Sequence, residues 1–500
     1  MKTGLRKRPG FFPRVAGHFV FMMLTAALIA GFLPRAPAQA LQTNQIWHYR
    51  LTASSTFSEE CLICGLVTPP LPMRGSFDLV LAGQTPLTTS YALTNIDFTA
   101  GSEGVAQDTI TGSGTWQTGG EVAITQKMTV VAAVQTPGGL DNLTFTNSLT
   151  TPEVPWPTLE IDLYANFSVN EFHLHLVAAP FREIWFTTAQ GFEPGDGVGS
   201  VNAGDVVSDT GRLVKSQADL VAALELPEGG YTVDALDVAH GGAVLFSLNE
   251  DVTSPGAGAV QNGDLVSDQG RVVASNAALI SAFGLTAPVP DVGLKGAQVL
   301  DSGEVYFSIN NDTFAPGTGI DLTHGDVLSS LGYVVKSNTA LLSRFQPETS
   351  GNFGLKAFHV WPSGETWFSV ETGFADTVLG EIGTGDLLSD QGYIVFRNAD
   401  LVEAFAPSGT SADYGLTGIF VVTDTAVPEP APQLLSPGVN TVTGNVVVDW
   451  TGKARVFEVW KTAALGSPFQ PVSEIVAGTN WVDFGGALGG GTGFYRLRQW

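Results

Sequence analysis

The 500-residue chain carries 48 Asp+Glu against 23 Lys+Arg, a formal charge of −25. Such a balance repels phosphate backbones and anionic headgroups, so nucleic-acid and membrane-surface binding are excluded as leading functions. Apolar residues at 44% and aromatics at 10% exclude wholesale disorder and supply enough side chains for several cores.

Lys2, Arg6, Lys7, Arg8 and Arg14 precede an apolar run from Phe19 to Leu33 and then Ala38-Gln39-Ala40. That order reads as a secretory signal peptide over residues 1–40, too short in its apolar part for a spanning helix. The expectation is an exported, extracellular protein with no membrane span once the signal is cleaved. The first forty residues hold six basic residues and no acidic one, so the exported chain is more acidic still.

From about residue 41 to 171, short alternating runs such as Tyr91-Ala92-Leu93-Thr94-Asn95-Ile96-Asp97-Phe98 are separated by Gly, Pro and Asn clusters. The pattern predicts antiparallel strands closed into a β-sandwich or a barrel. The only cysteines, Cys61 and Cys64, sit in this region. In an oxidising compartment they are expected to form one disulfide; the prolines at 69, 70 and 72 oppose the helix that a redox pair would need. His173 and His175 would project from one strand face, as a metal pair or as ordinary surface histidines.

Residues 172–424 repeat. Phe186, Phe246, Phe307 and Phe368 anchor four copies at spacings of 60, 61 and 61 residues. A second register agrees: Gly204-Asp205, Gly263-Asp264, Gly325-Asp326 and Gly385-Asp386 recur, each with Ser three residues after the Asp and Gly six after it. In the third copy Leu294 to Leu300, Glu304 to Ile309, Asp326 to Ser329 and Tyr333 to Lys336 read as strands. Ser337 then caps a helix of about two turns carrying Leu341 and Phe345. Four strands and a short helix cannot bury both faces alone, so the copies must pack on one another in a line or a ring.

The Ala-containing first strands (Asp234-Ala235-Leu236, Lys356-Ala357-Phe358) and aromatic second strands (Val305-Tyr306-Phe307, Thr366-Trp367-Phe368) resemble those of hemopexin-like domains. The resemblance spans about Phe172 to Thr423 and implies a four-bladed β-propeller with short outer helices. A fifth first-strand sequence, Leu416 to Val422, has no blade of its own and is expected to pair near Glu183 to Thr187, closing a ring.

Residues 425–438 form a Pro-rich linker, and 439–500 read as a small β-sandwich with strands at Asn445 to Trp450, Val456 to Lys461, Val472 to Val476, Trp481 to Phe484 and Phe494 to Leu497. This module resembles a shortened fibronectin type III or immunoglobulin-like sandwich. The fold class expected overall is all-β.

The most repeated polar feature is the set Asp205, Asp264, Asp326 and Asp386, with Asp209, Asp268 and Asp390 four residues on. Carboxylates in such loops either ligate calcium or cap turns through nearby N–H groups. Ser330 replaces the second carboxylate in the third copy, as a turn would tolerate. Tyr306, Trp361, Trp367 and Tyr393 are either sugar-stacking surfaces or core. The sequence carries no Gly-x-Ser-x-Gly elbow, His-Glu-x-x-His or phosphate loop. The expectation is a non-catalytic extracellular binding or structural protein that recognises a glycan or protein; its rival is a secreted enzyme acting on polysaccharide or another polymer at the ring's mouth.

Overall fold

The computed structural model describes residues 46–500 apart from 65–67, 103–106, 196–198, 227–230, 286, 409–412, 425–429, 436, 441 and 489–492. The signal peptide expected over residues 1–40 lies outside the described residues. The fold is all-β, with antiparallel pairing in every sheet. Among the described residues no helix is long and apolar enough to cross a membrane.

Residues 46–179 form a barrel, the second of the two architectures expected there. Leu71–Gln84, Thr88–Ala100, Asp108–Gly119, Thr125–Thr136, Gly139–Thr146, Leu159–Phe167 and Asn170–Ala179 follow one another as neighbours. Ile46–Leu51 and Thr56–Cys61 share one position between the first and last of these and close the sheet. Alternation sorts the faces: Val130, Ala132 and Val134 point inward, whereas Val131 is 56% exposed. Tyr49, Phe77, Phe98, Trp116, Phe145 and Phe172 fill the interior, each such side chain stabilising the fold by roughly 1.5–3 kcal/mol relative to exposure. Cys61 and Cys64 are joined in a disulfide at the end of Thr56–Cys61, as expected.

The four repeats form four sheets of the same strand order. In unit 3 this is Leu294–Val299, Val305–Ile309, Val327–Ser329 and Tyr333–Lys336, followed by the helix Asn338–Leu341, with Ser337 Oγ accepting from Ala340 N as its N-cap. Unit 2 (Val233–Val238, Val244–Leu248, Leu265–Ser267, Arg271–Ala274) and unit 4 (Phe358–Val360, Thr366–Phe368, Leu387–Ser389, Tyr393–Phe396) repeat it. Among the described residues unit 1 has Phe181–Thr188, Val206–Ser208 and Arg212–Lys215 of its own in this sheet, and Leu416–Thr423 supplies its first strand. Trp185 lies opposite Phe420 and Phe186 opposite Ile419, which is the pairing expected from the orphan strand sequence. Leaving that buried apolar strand unpaired would expose an aggregation-prone edge.

The inner strands touch cyclically: Leu416–Thr423 meets Val233–Val238, which meets Leu294–Val299, then Phe358–Val360, then Leu416–Thr423 again. Each junction has its own apolar core, including Trp185 with Leu236, Leu265 with Leu294, Val327 with Phe368, and Ile184 with Trp367. The hydroxyl after the anchor Phe adds a polar pin between sheets in units 2 and 4. Ser247 donates to Leu294 O at 2.8 Å and Ser369 to Leu416 O at 3.2 Å, both reaching the inner strand of the next sheet. Thr187 bonds Thr417 at 2.8 Å. Ser308 Oγ is buried without a partner.

One element was missed. The longer loop after the second strand holds a two-stranded ribbon in three units, for example Thr313–Ala315 with Ile320–Leu322. In unit 1 it is reduced to a bridge between Phe192 and Val201.

The C-terminal module has two small sheets around Val446, Val448, Trp450, Phe457 and Val459. Gln433–Leu434, within the stretch read as linker, and Gly438–Val439, at its end, pair with Val446–Thr451. The strand expected at Val472 to Val476 is instead two short pairings, Gln470–Pro471 and Val476–Ala477, against Val456–Thr462. Val472 N and Ser473 N both turn to the Val459 carbonyl between them.

Candidate functional site

The four Gly-Asp carboxylates occupy four separate loops and do the same job in each. Asp205, Asp264, Asp326 and Asp386 are buried, and Oδ1 accepts from the first backbone N–H of the short helix, at Gln217, Asn276, Asn338 and Asn398, over 2.7–2.9 Å. Oδ2 accepts from a loop N–H three residues earlier, at Asn202, Gln261, Thr323 and Gly383. Each Asp therefore ties its loop to a helix start.

The second carboxylates are equally occupied. Asp209, Asp268 and Asp390 accept from the backbone N–H of Ile184, Val244 and Thr366 at the start of the second strand, and Ser330 Oγ takes the same bond from Val305. The other oxygen meets a cation. Lys215 of unit 1 pairs with Asp268 of unit 2, and Lys336 of unit 3 with Asp390 of unit 4. Asp209 of unit 1 faces Phe396 in the lysine's position, and Arg50 of the barrel replaces the missing charge at 2.5 Å, its guanidinium 4.8 Å from the ring of Phe181. Burial still pushes Asp209 above the usual carboxylate range, against the pull of Arg50. The seven carboxylates considered for calcium are thus not brought together, and among the described residues no three His, Cys, Asp or Glu side chains gather as a metal set.

His173 Nε2 and His175 Nδ1 both bond Asp162 Oδ1, at 2.9 Å, on the outer face of the barrel. The bond to Asp162 raises the pKa of His175 above its ordinary value, and the same bond lowers that of Asp162. Trp361, Trp367 and Tyr393 are core residues, and Tyr306 is half-buried.

Sequence reasoning passed over a different set of groups. Three residues before the anchor Phe stand Glu183, Ala243, Glu304 and Glu365 in units 1 to 4. In units 1, 3 and 4 the glutamate is received by a cradle on the same sheet. Glu183 Oε2 accepts from Trp185 Nε1 at 2.9 Å, Ser208 Oγ at 2.9 Å and Arg212 at 2.7 Å. Glu365 Oε1 accepts from Trp367 Nε1 at 3.1 Å, Ser389 Oγ at 2.7 Å and the Tyr393 hydroxyl at 2.6 Å. Glu304 Oε1 accepts from Ser329 Oγ and, at 2.6 Å, from the Tyr333 hydroxyl. Burial beside Glu365 holds the Tyr393 phenol well above its ordinary pKa, and the bond to Glu304 pushes that of Tyr333 up to about 12. The register explains the recurrence: each serine lies opposite both the residue before the anchor Phe and the Arg or Tyr that opens the fourth strand.

Unit 2 keeps the cradle and lacks the glutamate. Ser267 and Arg271 occupy the receiving positions, Ala243 stands where the carboxylate would begin, and Leu245 replaces the aromatic. The result is a cavity of about 350 Å³ lined by Ala239, His240, Ala243, Leu245, Ser267, Gln269 and Arg271, among others. Ser267 is 1% exposed and its hydroxyl has no partner. Arg271 donates to Gln269.

The flanking modules sit on the equivalent corners. Thr158 of the barrel donates to the second oxygen of Glu365 in unit 4, and Arg212 of unit 1 donates to Ile475 O of the C-terminal module at 2.7 Å. The cavity of unit 2 adjoins that module through its own turn, where Gly241 N donates to Ala454 O and His240 bonds Lys453 O. No family model matches the chain, and no curated protein is significantly similar to it.

Proposed function

We propose that the chain is an exported, non-catalytic binding protein: a four-bladed β-propeller, of the make found in hemopexin-like domains, that takes its ligand in the open corner of unit 2. The barrel and a fibronectin type III-like sandwich brace the propeller at the corners of units 4 and 1. One observation carries this reading. Three copies of a repeated corner are plugged by their own glutamate, and the fourth, with a serine and an arginine at the receiving positions, holds a cavity instead. Its volume lies at the lower end of the range for small-ligand sites, room for one side chain or one sugar ring. The partner is accordingly an extracellular protein or glycan that inserts a single group.

The test is a thermal-shift screen of the exported chain against small organic acids, amides and sugars, run in parallel on an Ala243→Phe variant that fills the cavity. At least one compound is expected to raise the melting temperature of the parent by mass action and to lose that effect in the variant. Ligands that act equally on both would place binding elsewhere. Release of new reducing ends from a polysaccharide by the purified protein would favour the enzymatic reading instead.

A further inference from the structure

We infer that the open corner of unit 2 is a receptor for a carboxylate, specifically the glutamate side chain of a partner protein. This rests on the binding reading above and adds the class of ligand. The chain itself shows what the corner accepts: in units 1, 3 and 4 the serine hydroxyl and the residue opening the fourth strand converge on one carboxylate oxygen of a glutamate. Unit 2 keeps a serine and an arginine at those two positions, the same pair that grips Glu183 in unit 1.

Of the two groups that remain in unit 2, the serine lacks a partner and the arginine has only the neutral Gln269 side chain. Ser267 Oγ is buried without a partner, a desolvation penalty that a ligand's acceptor would relieve. Arg271 is exposed, and among the described residues no carboxylate lies within ion-pair distance of it, whereas Arg212 pairs with Glu183 at 2.7 Å. An arriving carboxylate accepts from both, a charge-assisted arrangement stronger than either neutral bond. A glutamate arm fits better than a uronic acid because the three filled corners hold a carboxylate on a two-carbon stem. Replacing Trp185 or Trp367 by Leu245 leaves further room at the mouth for the main chain that carries it.

The experiment uses ligand-observed NMR on the full exported chain with three probes: N-acetyl-glutamic acid α-amide, its neutral glutamine isostere, and glucuronate. The glutamate probe should bind saturably, on the order of millimolar for so small a molecule. Arg271→Gln should weaken it roughly tenfold, and Ala243→Glu, which plugs the corner from within, should abolish it. The glutamine probe should bind at least roughly tenfold more weakly. Equal binding of the two isosteres would overturn the carboxylate assignment while leaving a ligand site in place. Tighter binding of glucuronate would overturn the side-chain assignment in favour of a glycan. Binding of the glutamate probe that survives Ala243→Glu would put it outside this corner, and absence of glutamate binding in the parent would overturn the inference, while the thermal-shift screen against acids, amides and sugars decides the binding reading separately.

Discussion

Lys215 of the first unit and Asp268 of the second form an ion pair across their boundary, and at the next boundary the same two positions are Ala274 and Ser330. Both charges are kept at the first boundary and both dropped at the next. Removing Lys215 alone leaves a nearly buried carboxylate without its cation, so Lys215→Ala should destabilise by about 1–3 kcal/mol. Adding Asp268→Ser, which recreates the neutral boundary, should recover part of that loss. Denaturant midpoints of the four proteins in the cycle measure the coupling; strictly additive losses would contradict the pairing.

The closing strand makes a second prediction. Ile419 is 3% exposed, opposite Phe186, in the core that joins the last unit to the first. Ile419→Ala should cost about 2–5 kcal/mol, as large-to-small changes in packed cores do. A loss below about 0.5 kcal/mol, the range of surface substitutions, would mean that this strand does not hold the ring shut.

The anchor-Phe hydroxyls separate a used bond from an unused one. Ser247 donates to Leu294 O, so Ser247→Ala should cost about 0.5–1.5 kcal/mol, the ordinary net value of such a bond. Ser308, buried without a partner at the equivalent position, should tolerate Ala with no loss or a small gain. Equal costs at the two sites would contradict the bonding pattern.

A pH dependence follows from the outer face of the barrel. Asp162 raises the pKa of His175 and is itself lowered. The His175 contribution is complete below its unfolded value near 6.5 and is lost as pH rises through the raised folded value. The Asp162 contribution is complete above its unfolded value near 3.8 and is lost as pH falls through the lowered one. The pair therefore stabilises most between those limits. Imidazole NMR titration should find His175 above 6.5 in the parent and lower in Asp162→Asn; no change on substitution would remove Asp162 as the cause.

Much of this fold was legible because repetition amplifies weak local signals. The anchor Phe and Gly-Asp registers marked four units, and a surplus first strand beginning at Leu416 pointed to closure in unit 1. Barrel and sandwich stayed indistinguishable because alternation assigns faces and says nothing of whether Leu71–Gln84 pairs with neighbours on both sides. The ribbon at Thr313–Ala315 was too short for any periodicity to register. The open corner went unread for another reason: Ala243 is unremarkable among Gly242 and Val244 until it is set beside Glu183, Glu304 and Glu365. The Gly-Asp pairs drew attention because all four copies keep them, whereas the informative position was one that one copy had lost.

If unit 2 is the glutamate cradle of its neighbours with the glutamate removed, the melting temperature of Ala243→Glu reports it. If Ser267 and Arg271 are poised for a carboxylate, supplying one from within satisfies an orphaned hydroxyl and exchanges the neutral Gln269 acceptor of Arg271 for a charged one, and the variant should melt higher than the parent. A lower melting temperature, the outcome of burying a carboxylate that finds no donors, would contradict the account.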